Sequence, residues 1–355
     1  MAAGGVMAIR SVAEAIAWQA EHAENSGAPG TARVVRALLA VMESDTATGR
    51  RIAGWQGLTL EDAMPLRIAG GLHALHLAGE KRRLGDVYSG RITDQAQVDA
   101  IVVEAVQTFD CKLLPWLDHP PQTNEAGRSA NIMAALLWLS AQGAGPTFVL
   151  NEIGASAGIN TMLGRFSFDL GGVSAGAATS SIHIVPEWRG APPPDAAVTI
   201  VSAKGSDIAP IDLRDPVRAT MLRAYIWPEA KARMARLDAA IAMAREAPPD
   251  LVQQDAGAFV EAMLAEPAHN GVTRVLFHTV MWQYLPETTR AAITSAMEAA
   301  GAAATRDAPL AWIMSETNRE TFRQECRVRH WPDGEDWVKL TESHPHGTWV
   351  EWVAD

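Results

Sequence analysis

The chain has 355 residues, of which 48% are hydrophobic and 20% charged, and its formal net charge is -11 at pH 7. This length is enough for one large domain or two ordinary ones with a sizeable core. The acidic balance, without a long basic run, argues against nucleic acid as a partner. No apolar run reaches about 18 residues, so no membrane span is predicted. The only cysteines, Cys111 and Cys326, are too few for a disulfide framework, so we expect a cytoplasmic protein. The acidic charge makes a small molecule the expected substrate.

The residues before about 145 are predicted to be helical. Apolar side chains recur at helical spacing in several segments, as at Val98 and Ile101, where Asp94 is expected to cap the helix. A further helix is expected over about 125–142. Because no segment alternates as a strand would, residues 1–145 are predicted to form an all-helical N-terminal region, or cap.

Residues 146–355 are predicted to form an α/β domain. Short apolar runs bounded by turn residues alternate here with helical stretches, which is typical of a mostly parallel sheet with crossover helices. An insertion at about 161–197 separates the first two strands, and the tail from about Glu325 alternates as antiparallel strands. The predicted parallel strands are Phe148–Leu150, Val198–Ser202, Leu251–Gln254, Val275–His278 and Leu310–Met314.

A glycine-rich turn follows the first predicted strand. The strand ends at Glu152, and the turn Gly154-Ala155-Ser156-Ala157-Gly158 leads into an expected helix, whose free N–H groups would attract a polar or anionic ligand. The order acid-x-Gly-x-Gly-x-Gly is the first motif of S-adenosylmethionine-dependent methyltransferases, and Glu152, Gly154 and Gly158 match it. Ser156 replaces the central glycine and adds a small Cβ substituent. A turn without a ligand stays an alternative, because glycine-rich turns are common.

The same turn also matches the nucleophile elbow Gly-x-Ser-x-Gly, in which Ser156 would be the nucleophile of a serine hydrolase. In an α/β-hydrolase several strands and an oxyanion loop precede the elbow, whereas this turn follows the first predicted strand. Two phosphate-binding motifs fail, because Ile159 and Asn160 stand where a P-loop needs lysine and serine or threonine, and the dinucleotide fingerprint lacks two of its glycines. The position of the turn therefore favours the methyltransferase cofactor.

Two later predicted strands end in acids that fit the same cofactor. Asp207 follows the second strand and is expected to accept hydrogen bonds from the ribose hydroxyls. Asp255 and Ala256 follow the third strand and are expected to bind the adenine amino group. The alternatives are a turn or capping aspartate for Asp207 and a helix cap for Asp255.

The candidate general base is His278, at the end of the fourth predicted strand. Ligands bind at this edge of open parallel sheets, and the near-neutral ordinary pKa of histidine suits a base. Glu125 and Tyr284 are the further catalytic candidates. A structural histidine is the alternative for His278.

Other side chains concern ligand binding. Arg128 is expected to bind the carboxylate at the methionine end of the cofactor, with an exposed arginine on a capped helix as the alternative. His73 and His76 have a spacing that metals use, but leucines surround them and no third ligand is indicated, so no metal is expected.

Five segments together resemble one bacterial family, the domain-of-unknown-function 2332 family. They lie at 66–75, 122–128, 152–160, 207–212 and 277–285, and the third reads Glu-Ile-Gly-Ala-Ser-Ala-Gly-Ile-Asn. The resemblance covers nearly the full length of the chain. It implies a Rossmann-like, methyltransferase-type fold with a helical N-terminal part, and it implies no particular reaction.

These patterns lead to three functional hypotheses. The first is an S-adenosylmethionine-dependent methyltransferase that acts on a small-molecule acceptor. The second is a non-catalytic binding protein of the same fold, which the serine at position 156 keeps open. The third is a serine hydrolase with Ser156 as nucleophile.

Overall fold

The computed structural model describes residues 11–57, 62–321 and 323–354. Contacts divide the chain into two compact units. The first unit comprises the described residues up to Thr123 together with Asp215–Ala235, and the second comprises Asn124–Arg214 and the described residues from Arg236 onward. Within the described ranges, no helix is both long and apolar enough to cross a membrane.

Helices make up the described chain before Thr147 and recur throughout the rest. The α-helices of the described residues are α1 Val12–Asn25, α2 Pro29–Arg36, α3 Leu38–Met42, α4 Ala47–Ala53, α5 Met64–Leu77, α6 Arg82–Tyr88, α7 Gln95–Leu113, α8 Ser129–Leu139, α9 Pro216–Ala224, α10 Lys231–Glu246, α11 Ala256–Ala265 and α12 Glu287–Ala302. The side chain of Asp94 accepts a hydrogen bond of 3.0 Å from Gln97 N and so caps α7, as its position in the sequence predicts.

All the strands that the structure describes belong to the second unit. They are β1 Thr147–Ile153, β2 Ser167–Leu170, β3 Val173–Gly176, β4 His183–Ile184, β5 Glu187–Arg189, β6 Thr199–Asp207, β7 Asp250–Gln253, β8 Thr273–Thr279, β9 Leu310–Thr317, β10 Gln324–Trp331, β11 Gly334–Ser343 and β12 Trp349–Trp352. The predicted mixed α/β fold with a mostly parallel sheet is confirmed.

The main sheet has the strand order β5-β12-β11-β10-β9-β8-β1-β6-β7. The five strands from β9 to β7 are mutually parallel. Strand β10 pairs antiparallel with β9 and β11, and β11 pairs antiparallel with β12. The edge strand β5 pairs parallel with β12. Numbered along the chain, the parallel strands stand in the order 3-2-1-4-5, because the chain leaves β1 on one side for β6 and returns on its other side as β8. Ligands of such sheets bind at the carboxyl ends of the strands, where this order reverses.

Helix α8 is buried along its whole length, as expected for a helix that is apolar all round. Its one amide side chain, Asn131, donates to Ser343 Oγ at 2.9 Å and accepts from Thr341 Oγ1 at 2.8 Å. These bonds satisfy buried polar groups and tie α8 to strand β11.

The helix expected after the glycine turn is a single 3-10 helix of six residues, Asn160–Arg165. It stays short because the chain enters β2 at Ser167. Arg165 also fixes its end by donating to the carbonyls of Ala247 at 2.7 Å and Met243 at 2.8 Å. The insertion at about 161–197 therefore holds this short helix, a small sheet of β2, β3 and β4, and the edge strand β5.

Candidate functional site

Glu152 lies at the carboxyl end of β1, where its side chain is 1% exposed. Burial raises the pKa of its carboxyl to about 8, although the hydrogen bond from Thr161 and the charge of Arg128 both oppose this rise. Thr161 Oγ1 donates to Glu152 Oε2 at 2.5 Å. A carboxyl with this pKa is mostly protonated at neutral pH, so it can donate a hydrogen bond as well as accept one.

The glycine turn needs three left-handed backbone positions. The φ angles are +67° at Gly154, +54° at Ser156 and +70° at Gly158. These are the three positions at which the methyltransferase motif has glycine, and glycine is the residue that adopts such angles without strain. Ser156 therefore carries backbone strain that a glycine would not.

Asp207 fastens this turn to the end of β6. Its Oδ2 accepts a hydrogen bond of 2.9 Å from Ser156 N, and its Oδ1 accepts one of 2.8 Å from Ala209 N. The structure thus brings Asp207 to the turn, as a ligand site at this edge requires. The bonds it makes are those of a turn aspartate.

Asp255 and Ala256 begin helix α11 beyond strand β7. Asp255 is exposed, and its Oδ1 accepts a hydrogen bond of 3.1 Å from Ala258 N, so it caps the helix. Ala256 is buried. The contact that the structure gives Asp255 is therefore that of the alternative role, a helix cap.

His278 is fully buried at the carboxyl end of β8. Its Nδ1 lies 2.6 Å from Glu316 Oε1 on β9. Because an ionised carboxylate only accepts, this contact assigns the ring proton of a neutral His278 to Nδ1 and leaves Nε2 as an acceptor. Nε2 has no hydrogen-bond partner within the described part of the chain. Such a nitrogen can accept a proton from a group that reaches it.

The other two catalytic candidates are placed differently. Glu125 is 3% exposed, accepts from Gly127 N at 3.1 Å and forms an ion pair of 2.9 Å with Arg236. Tyr284 is 72% exposed, at the end of the 3-10 turn Trp282–Tyr284. His278 is therefore the candidate that combines burial with a free ring nitrogen.

Arg128 is buried rather than exposed. It lies in the 3-10 helix Ala126–Arg128, and its Nε donates to Pro345 O at 3.0 Å. Its charge lowers the pKa of Glu152, which places the guanidinium within electrostatic range of that carboxyl.

Two polar residues of this edge were not among the site residues predicted from the sequence. Glu316 lies two residues beyond Met314, the predicted end of its strand. An acid after a strand is the pattern that identified Glu152, and the same pattern could have identified Glu316. Asn160 lies two residues beyond Gly158, the end of the glycine turn, and is fully buried. Neither Nδ2 nor Oδ1 of Asn160 has a partner among the described residues, and leaving such groups unpaired is costly.

The model of one family matches residues 13–352 of the chain. The family is described as "Uncharacterized protein conserved in bacteria (DUF2332)", and because the match spans nearly the whole chain, the chain belongs to it. The family resemblance found in the sequence is thereby confirmed. Neither a curated protein nor a solved structure matches the chain significantly.

Proposed function

We propose that the second unit binds S-adenosylmethionine at the carboxyl ends of β1, β6 and β7 and methylates a small-molecule acceptor. The observation that carries the proposal is the turn Gly154–Gly158, with three left-handed positions, bonded to Asp207 where the strand order 3-2-1-4-5 reverses. This order, a glycine turn after the first strand and an acid after the second are typical of Rossmann-like methyltransferases. The net charge of -11 favours a small molecule over nucleic acid as the acceptor.

The polar groups at this edge suit a nucleoside with an amino-acid tail. Each carboxylate oxygen has two lone pairs, so Asp207 keeps acceptor capacity for ribose hydroxyls beside its two backbone bonds. Asn160 offers an unpaired donor and acceptor. Arg128 supplies a positive charge near Glu152 for the carboxylate of the cofactor.

The chemistry needs little from the protein beyond positioning. When bound, S-adenosylmethionine would supply an electrophilic methyl group on its sulfonium. The protein's part is to align the acceptor and to take its proton at His278 Nε2 as the new bond to carbon forms. Glu316 would stabilise the imidazolium that results, because its carboxylate lies 2.6 Å from Nδ1.

A second candidate, the non-catalytic binding protein, has its own supporting observation. A β-carbon built on Gly154 would lie 2.7 Å from Met281 Cγ, and one built on Gly158 would lie 2.8 Å from Pro249 Cγ. Side chains of the protein therefore cover the glycine faces that a bound cofactor would approach.

The serine hydrolase gains no support. Ser156 Oγ has no hydrogen-bond partner among the described residues, so no general base activates it. The left-handed φ of Ser156 suits an elbow, but a nucleophile also needs its base within hydrogen-bond reach.

Transfer of a labelled methyl group separates the two candidates. The protein is incubated with methyl-labelled S-adenosylmethionine and fractionated small-molecule extracts, and the label is followed into an acceptor. A methyltransferase transfers label, and His278→Ala should lower the transfer rate by about 100-fold, the usual contribution of a general base. His269→Ala is the matched control, because this exposed histidine precedes β8, at the opposite end of the strand from His278. Cofactor binding without label transfer to any fraction would favour the non-catalytic protein.

A further inference from the structure

The segment after β8 lies over both parts of the candidate site. We call residues 280–284 the strap. Its Met281 side chain covers Gly154, since a β-carbon at Gly154 would also come within 2.8 Å of Met281 Cβ. Its Trp282 ring stacks on His278, with ring centroids 5.0 Å apart and planes 16° apart. One short segment thus shields the glycine turn and the candidate base together.

The strap begins in a strained conformation. Val280 has a φ of +53°, in the left-handed region that β-branched residues avoid. Backbone strain of this kind persists only where surrounding contacts enforce it, and it is concentrated at functional sites and switch segments. The contacts that hold Val280 and its neighbours therefore decide whether the strap stays closed.

Glu316 supplies two of the hydrogen bonds that hold the strap, beside the backbone bond of 3.0 Å from Val280 N to Ser315 O. The same atom, Glu316 Oε1, accepts from Met281 N at 3.1 Å and from Trp282 N at 3.2 Å, and it contacts His278 Nδ1 at 2.6 Å. One carboxylate thus orients the candidate base and fixes the two residues of the strap that cover the site. At the far end of the strap Tyr284 is 72% exposed, so its side chain does not anchor the segment.

We infer that the strap is a gate, that Glu316 is the positioning residue that holds it closed, and that its opening uncovers Gly154 and His278 together. The geometry of the strap is independent of any ligand. Its purpose, admission of a nucleoside cofactor and an acceptor, rests on the proposed function.

Chemical modification of histidine tests this inference without any cofactor, so it can be read even if S-adenosylmethionine does not bind. Diethylpyrocarbonate acylates unprotonated imidazole nitrogens. The intact, folded chain is labelled for increasing times and then digested, and mass spectrometry of the peptides gives the rate of modification at each histidine. His269 is exposed and serves as the internal reference. In the wild type, His278 should react far more slowly than His269, because the strap covers it.

Two variants should open the gate by different routes. Glu316→Ala removes the acceptor for the strap amides, and Met281→Ala removes the contact with Gly154 while keeping Glu316. Each should raise the rate at His278, relative to His269, by about fivefold or more through local opening. Glu316→Gln keeps an acceptor oxygen and should restore much of the protection. The matched control is Glu320→Gln, an exposed carboxylate of the following loop, which should leave the rate unchanged.

Amide hydrogen exchange gives the second readout. Met281 and Trp282 amides should lose protection in Glu316→Ala, whereas the amides of β1 should keep theirs. Unchanged rates at His278 in both Glu316→Ala and Met281→Ala, with native circular dichroism, would overturn the inference. Amide exchange that accelerates as much in β1 as at Met281 and Trp282 would also overturn it, because it would report general unfolding.

Discussion

The carboxylate of Asp207 holds the backbone of Ser156, with 2.9 Å between Oδ2 and the peptide nitrogen. Together with the backbone bond of 2.9 Å from Ala155 N to Ser206 O, it joins the end of β6 to the glycine turn after β1. It balances the strain at Ser156, whose left-handed φ of +54° only glycine adopts freely.

Asp207→Ala should destabilise the second unit. The variant leaves the N–H groups of Ser156 and Ala209 without their charged acceptor, and bonds to charged groups contribute about 1.5–3 kcal/mol each. We expect a loss of about 2 kcal/mol in the free energy of unfolding, measured by urea denaturation. Asp212→Ala is the control, because this exposed side chain pairs with Arg214 at the surface and should contribute little. Equal effects of the two variants would contradict the account.

Ser156→Gly should stabilise the protein. Relief of the left-handed strain contributes about 1 kcal/mol, partly offset by the added freedom of glycine in the unfolded chain. The thermal midpoint should therefore rise by a few degrees. The neighbouring Ala157 does not adopt a positive φ, so Ala157→Gly should lower the midpoint. A lower midpoint in both variants would show that the turn is not strained at Ser156.

Glu152 should make stability fall as the pH rises. Burial raises its pKa in the folded protein to about 8, from an ordinary value of 4.5. The folded state then holds the proton more tightly than the unfolded state, so this stabilisation is complete below the ordinary value and is lost as the pH rises through about 8. Glu152→Gln stays neutral throughout. Between about pH 5 and 9 the wild type should lose at least about 1 kcal/mol relative to this variant, measured by urea denaturation. A difference independent of pH would contradict the raised pKa.

Glu229 should stabilise the first unit. Its Oε1 accepts from Thr31 N at 2.9 Å, and its Oε2 accepts from Thr31 Oγ1 at 2.7 Å, at the start of α2. Glu229→Ala removes both acceptors and should cost about 1–3 kcal/mol. The control is Glu24→Gln, which removes the charge from an exposed ion pair with Arg36 and should change the stability by less than about 1 kcal/mol. No loss in Glu229→Ala would show that this contact does not hold Asp215–Ala235 in the unit.

The strand pattern predicted which polar residues lie at the carboxyl ends of the parallel strands. Glu152, Asp207 and His278 each follow an apolar run, and the carboxyl ends of parallel strands meet at one edge of a sheet. Knowledge of which strands are neighbours was not needed for this step. Local chemistry was therefore enough to locate the edge and most of its polar groups.

Other features depend on contacts that no local pattern encodes. Glu229 and Thr31 are 198 residues apart in sequence, so their pairing follows from tertiary packing alone. The role of Glu316 depends on the register of β9 against β8, in which His278 pairs with Met314 and Glu316 lies just beyond. The length of the helix after the turn is set by Ser167, where β2 begins, rather than by helical propensity.

The most direct test of the central claim is isothermal titration calorimetry with S-adenosylhomocysteine, the demethylated cofactor, on the full chain. The account predicts saturable binding with one site per chain. Asp207→Ala should weaken this binding by about tenfold or more, because bonds to a charged acceptor are lost, while Asp212→Ala should bind as the wild type does. Absence of saturable heat at millimolar ligand, together with an unchanged thermal midpoint of the folded protein, would contradict the assignment of the glycine turn as a cofactor site.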